Sequence, residues 1–159
     1  MHSIYYNDIK SRFLARVQAY DLTEMVTEEC AMEMMDEWLM SVKSNPRVRK
    51  LFSSIALGLD ENEEKIINYE LKNTIDEESD YDFVKEIFSL GMSWKWSEPK
   101  YKSILNASMY IGGKEATFFS QANHMSQLKN MYESSRSELY QIISDHGYYN
   151  NTYIGTNNA

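Results

Sequence analysis

The sequence predicts a mainly α fold: a helical bundle of about five helices over residues 1–146, carrying a short β-hairpin at 54–72, followed by an extended C-terminal arm at 147–159. Three observations predict it. Apolar residues recur at spacings of three and four through most of the chain, the period of a helix with one buried face. The spacing changes to alternation once, at Ile67, Tyr69 and Leu71, behind a turn that carries Gly and Asp. The closing stretch GYYNNTYIGTNNA has no apolar period, and its Gly and Asn residues favour irregular backbone.

In NDIKSRFLARVQAYD, Ile9, Phe13, Leu14, Val17 and Tyr20 form an amphipathic first helix, with Asn7 or Asp8 placed to cap it. The next segment offers Thr23 and Thr27 as caps. Its broad apolar stripe runs through Cys30, Ala31, Met34, Met35, Trp38, Leu39 and Val42. Met32, Met34, Met35 and Met40 read as core packing rather than as an adaptable binding face, since only part of the cluster faces one way. Asn45-Pro46 ends this helix and starts another, because proline suits a first helical turn and restricts the residue before it. That third helix, RVRKLFSSI, is expected to bury Val48, Leu51, Phe52 and Ile55.

The hairpin follows, with Asp60, Glu61, Glu63 and Glu64 at its exposed tip; the cluster lacks the ligand rhythm of a calcium loop. Asp76 to Asp82 then places carboxylates where a helix begins, with Ser79 or Asp80 as its cap. Phe83, Val84, Ile87, Phe88, Met92 and Trp94 or Trp96 make the next stripe, and Gly91 admits a close neighbour. Pro99 is expected to divide this helix from one carrying Tyr101, Ile104, Leu105 and Met109, which Gly112-Gly113 ends. The last helix is the longest. About 30 residues without Gly or Pro extend to roughly 45 Å, with Phe118, Ala122, Met125, Leu128, Tyr132, Leu139, Ile142 and Ile143 as a stripe that thins at Ser134 to Ser137. Gly147 after His146 reads as its stop.

Composition bounds the function. A chain of 159 residues is one ordinary domain, and 43% hydrophobic with 13% aromatic residues is too apolar for a disordered chain even at a net charge of −8. The single Cys30 excludes an internal disulfide framework and reads as a small buried residue. No apolar run reaches the roughly 18 residues of a membrane span, and MHSIYYNDIK has no signal-peptide core, so use in the cytoplasm of the producing cell is expected. With 24 acidic against 16 basic residues there is no long-range pull on nucleic acid. The densest basic stretch, Arg47 to Lys50, reads as a solvated helix face, with a phosphate or acidic-partner contact as the alternative.

No catalytic constellation emerges. His2, His124 and His146 are far apart in the chain and lack partners at metal-ligand spacing; His146 suits a final helical turn, where a cation is favoured. IGGKEA lacks the other residues of a phosphate loop and follows a helix, so it reads as a turn. Neither cofactor nor metal nor enzyme activity is expected.

The stretches VQAYDLTEM, DEWLMSVKSNPRVRKLFSSIAL, INYELKN, DEESDYDFVKEIFSLGM, EPKYKSILNASMYIGGKEATFFSQANHMSQLK and HGYYNNTYI together resemble a group of small proteins of tailed phages and prophages of Firmicutes. The likeness covers nearly the whole chain and implies a non-enzymatic structural protein of the virion. Within that setting, a helical bundle followed by an arm is similar in layout to the head-tail connector (adaptor) proteins. Those proteins form a ring under the portal and reach it through an extended C-terminal arm.

The resemblance implies the portal or other neck and virion proteins as partners, a homo-oligomeric ring, and a place in the virion neck after synthesis in the bacterial host cytoplasm. Head-closure and tail-terminator rings are chiefly β-structured, which favours the adaptor for a helical chain. An acidic subunit suits a conduit that DNA passes through without specific binding, and a ring follows from a heterologous contact that closes on itself. The residues expected to bind a neighbouring subunit are Tyr148, Tyr149, Asn150, Asn151, Tyr153 and Ile154, since Tyr joins apolar area to a polar tip and an extended backbone adds to a sheet edge. The alternative is a cytoplasmic phage-encoded interaction protein, a regulator or assembly chaperone, whose acidic surface binds a basic partner.

Overall fold

The computed structural model describes residues 1–19, 28–110 and 118–149, with the side chains of 19, 28–33, 103–110, 118–124 and 148–149 outside that description. The described residues form β1 (His2–Tyr5), α1 (Tyr6–Ala19), α2 (Glu28–Lys43), α3 (Pro46–Arg49), β2 (Phe52–Leu59), β3 (Lys65–Leu71), α4 (Glu77–Tyr110) and α5 (Phe118–Tyr149). The fold is mainly helical, with five helices and one small antiparallel sheet of order β1-β3-β2.

The centre of the bundle is α4. Residues 87–94 are buried on every side, with α1, α2 and α5 packed about them. A helix that contacts three others needs small residues between its large ones. Ser89, Ser93 and Ser97 recur every fourth residue and are fully buried. Their hydroxyls donate to the carbonyls of Glu86, Ser89 and Trp94 at 3.1, 3.0 and 3.0 Å, so none of the three hydroxyls is stranded. Gly91 lets α2 come closest: a Cβ there would lie 2.6 Å from both methyls of Val42. Around this axis Ile9, Phe13 and Val17 from α1, Trp38, Leu39 and Val42 from α2, and Leu128, Met131 and Leu139 from α5 complete the core. Arg12 and Arg16 of α1 both bind the Glu86 carboxylate of α4, Arg12 through Nε at 2.7 Å, and Arg16 also approaches Glu138 of α5 at 3.6 Å.

The sheet joins the bundle through its inner face. Ile4 opposes Ile67, and Ile55 opposes Tyr69. Phe52 meets the rings of Tyr69 and Phe88 at 6.1 and 6.4 Å and so ties the start of β2 to α4. The hairpin expected at 54–72 is present as Phe52–Leu59 and Lys65–Leu71.

Several local expectations are corrected. The third helix is only Pro46–Arg49, capped by Asn45, whose side chain accepts from the Arg47 N–H at 2.9 Å. The apolar residues read as its continuation, Phe52 and Ile55, are strand residues, because pairing with β3 satisfies their backbone while Phe52 fills the space over Phe88. β1 was not anticipated: four residues are too few to show a period, and only pairing with β3 identifies them. Asn7 and Asp8 lie inside the first turn of α1, which begins at Tyr6.

Asp76, rather than Ser79 or Asp80, caps α4, accepting from the Ser79 N–H at 2.8 Å; Asp80 instead accepts from the Ile75 N–H at 3.0 Å. Pro99 does not divide the chain, since α4 runs unbroken through it. An interior proline costs about 3 kcal/mol. Burial of Trp94 and Trp96 before it, and stacking of Tyr101 on Tyr132 after it, hold the helix across that site. Leu14 and Met34 were placed in apolar stripes and are 41% and 39% exposed, whereas both Trp94 and Trp96 are buried. The readings of Cys30, His124 and the Gly112-Gly113 break lie outside the described residues or side chains.

Candidate functional site

Two exposed features stand out among the described residues. The first is the outer edge of β2. Its neighbour on one side is β3, and no described strand pairs with the other side. An edge strand is normally blunted by charge, proline or a covering element. Phe52–Leu59, FSSIALGL, has no charged residue and no proline along eight residues, and exposes Leu57 at 37% and Leu59 at 61%. Leu57 opposes the fully buried Ile67, so the apolar inner face of the sheet continues past the helices and into solvent.

The turn that ends this edge is rigid. The Asp60 carboxylate accepts from the backbone N–H of Glu64 and of Asn62, each at 2.8 Å, and the Asp60 N–H donates to the Glu64 carbonyl at 2.9 Å. The Glu64 N–H bond chiefly holds the Asp60 carboxyl below its ordinary range. Glu63 takes a left-handed φ of 63° to complete the turn. Glu61, Glu63 and Glu64 are left exposed.

Where β3 leaves the turn of the hairpin, Asp36 of α2 joins Lys10 of α1 at 2.9 Å and Lys65 of β3. Partial burial opposes ionisation of Asp36, yet the hydrogen bonds from Lys65 and Lys10 hold its carboxyl below the usual value.

The second feature lies where α3 meets the middles of α4 and α5. The Arg47 guanidinium sits 4.1 Å over the ring of Tyr140, and Arg136 lies 5.6 Å from that ring and 5.8 Å from Trp94. Trp94 and Tyr140 meet edge to face at 6.1 Å, and Lys95 lies 4.5 Å over Trp94. In the sequence Arg47 reads as part of a solvated helix face, and Arg136 lies where the apolar stripe thins and carries no signal of its own. The signal that could have joined them is Tyr140, four residues after Arg136 on one helix face.

The residues expected to bind a neighbour divide at the end of α5. Tyr148 and Tyr149 are the last residues of that helix, so the extended arm does not begin at Gly147. Glycine in a helix costs only about 1 kcal/mol, and the final turn is anchored by His146, which is buried and stacks on Phe83 at 3.9 Å. Burial pushes the His146 imidazole below its ordinary pKa, with Asp80 acting in the other direction. It is therefore an interior side chain rather than the helix-terminal cation expected. Asn150, Asn151, Tyr153 and Ile154 lie outside the described residues.

Among the described residues no group of three His, Cys, Asp or Glu side chains gathers as a metal site, and no helix is long and apolar enough to cross a membrane. Comparison with protein-family models, with curated proteins and with solved structures finds no match to this chain.

Proposed function

We propose that this chain is a structural subunit of a tailed-phage virion, a head-tail connector (adaptor) that assembles as a ring under the portal and docks its C-terminal residues on a neighbouring subunit. The phage setting rests on the resemblance of the sequence. The observation that carries the assembly reading is the edge of β2, which no described strand pairs, a neutral, apolar strand in a chain of net charge −8. Main-chain donors and acceptors on such an edge recruit an extended segment of another chain, and the exposed Leu57 and Leu59 give that contact apolar area.

Mass spectrometry of purified virions tests the location: an adaptor is present in fixed copy number, whereas a regulator or chaperone is absent. Removal of 150–159, which leaves α5 whole, should abolish co-assembly with the portal without lowering the melting temperature. Leu57→Lys should weaken co-assembly while the fold persists. Absence from virions refutes the proposal.

A further inference from the structure

We propose that the basic and aromatic surface built by Arg47, Arg136, Trp94 and Tyr140 is a docking site for carboxylate side chains, and that its occupant is the acidic hairpin tip, Glu61 to Glu64, of a second copy of this chain. The chain has eight more acidic than basic residues, so carboxylates are in excess over the cations that could hold them. Among the described residues neither Arg47 nor Arg136 makes an ion pair, although ion pairs occur on every long helix. The nearby carboxylate, Glu98, is committed to Lys102 at 2.7 Å and Lys95 at 3.8 Å.

Tyr140 orients Arg47 by holding the guanidinium over its face. A stacked guanidinium keeps its N–H donors in a fixed plane, ready for the bidentate grip a carboxylate offers. Two such groups sharing one ring suit a short acidic segment. A nucleic acid requires a longer track of cations.

The complementary feature is on the same chain but at the other end. Glu61, Glu63 and Glu64 are exposed and, among the described residues, make no ion pair, while the Asp60 turn fixes the backbone that presents them. Arg47 sits in α3, which Arg49 ties to the start of β2 through a 2.9 Å bond to the Phe52 carbonyl. The tip follows the far end of that strand. At about 3.3 Å per residue, β2 separates them by roughly 23 Å, more than two Debye lengths of about 8 Å at physiological ionic strength. A tip therefore satisfies the patch of another copy and not its own. Such a contact is heterologous, so it propagates head to tail until it closes. This deepens the ring reading above by naming its contact, and the contact stands or falls separately from the virion location.

The test is charge exchange in the full chain, read by sedimentation velocity at low and high salt. One variant carries Arg47→Glu and Arg136→Glu, the other Glu61→Lys and Glu64→Lys; all four sites are exposed, and circular dichroism checks each fold. Wild type should self-associate at low salt. Each variant alone should lose at least about tenfold in affinity, and their equimolar mixture should recover association, because each supplies the surface the other lacks. Arg47→Gln with Arg136→Gln should give the same loss if the Glu variant folds poorly. A wild type that stays monomeric at low salt, or a mixture no more associated than its components, overturns the proposal.

Discussion

Replacing Gly91 with alanine tests the packing on which the whole bundle depends. Gly91 is in α4, and a Cβ added there would lie 2.6 Å from both Val42 methyls and 3.2 Å from its Cβ. Ordinary carbon contacts lie at 3.5–4.0 Å, so α2 and α4 must separate by about 1 Å or Val42 must leave its rotamer. Val42 is itself buried at 2% exposure and β-branched, which leaves little room for either. Overpacking of this kind costs about 1–3 kcal/mol, while alanine regains about 1 kcal/mol of helix propensity. The net expectation is destabilisation by about 0–2 kcal/mol, with a fall in melting temperature of roughly 2–4 °C per kcal/mol for a chain of this size.

Gly147 is the internal control. It lies in α5 with nothing within 4 Å of an added Cβ, so Gly147→Ala should leave stability unchanged or raise it by up to about 1 kcal/mol. Chemical denaturation of both variants, with Val42→Ala and the Val42→Ala, Gly91→Ala double variant to complete a cycle, measures the coupling. The double variant should be more stable than the sum of the single effects. If Gly91→Ala behaves like Gly147→Ala, the close approach of α2 and α4 is wrong.

Stability should depend on His146 below neutral pH. Its folded pKa is lowered by burial, so the unfolded chain binds the proton more readily. Stability is then full above the unfolded value of about 6.5 and falls as pH drops below it. Thermal melts from pH 7.5 to 5 should show that slope diminished in His146→Phe. Phe88→Ala empties the fully buried contact between sheet and α4 and should cost about 3–5 kcal/mol, measured by urea unfolding. Glu86→Ala frees two arginines of α1 from a largely buried carboxylate, for which a loss of about 1–2 kcal/mol is expected. That loss should shrink in high salt.

Signals carried by neighbouring residues were legible without coordinates. The 3.6-residue period marks α1, α2, α4 and α5, the alternation at Ile67, Tyr69 and Leu71 marks the hairpin, and Asn45-Pro46 marks the start of α3, because each depends on backbone sterics within a few residues. Gly91 as a point of close approach was legible for the same reason. Competition between local preference and packing was not. Pro99 and Gly147 are breakers by propensity, worth about 3 and 1 kcal/mol, and the aromatic contacts of Trp96, Tyr101 and His146 outweigh them. Only the assembled fold pairs His2–Tyr5 with β3 and leaves β2 at the edge of the described sheet. Only it brings Arg47 and Arg136, 89 positions apart in the chain, to one tyrosine ring. Pairing of distant segments is set by the burial that the whole chain achieves together, and no short window of residues contains that quantity.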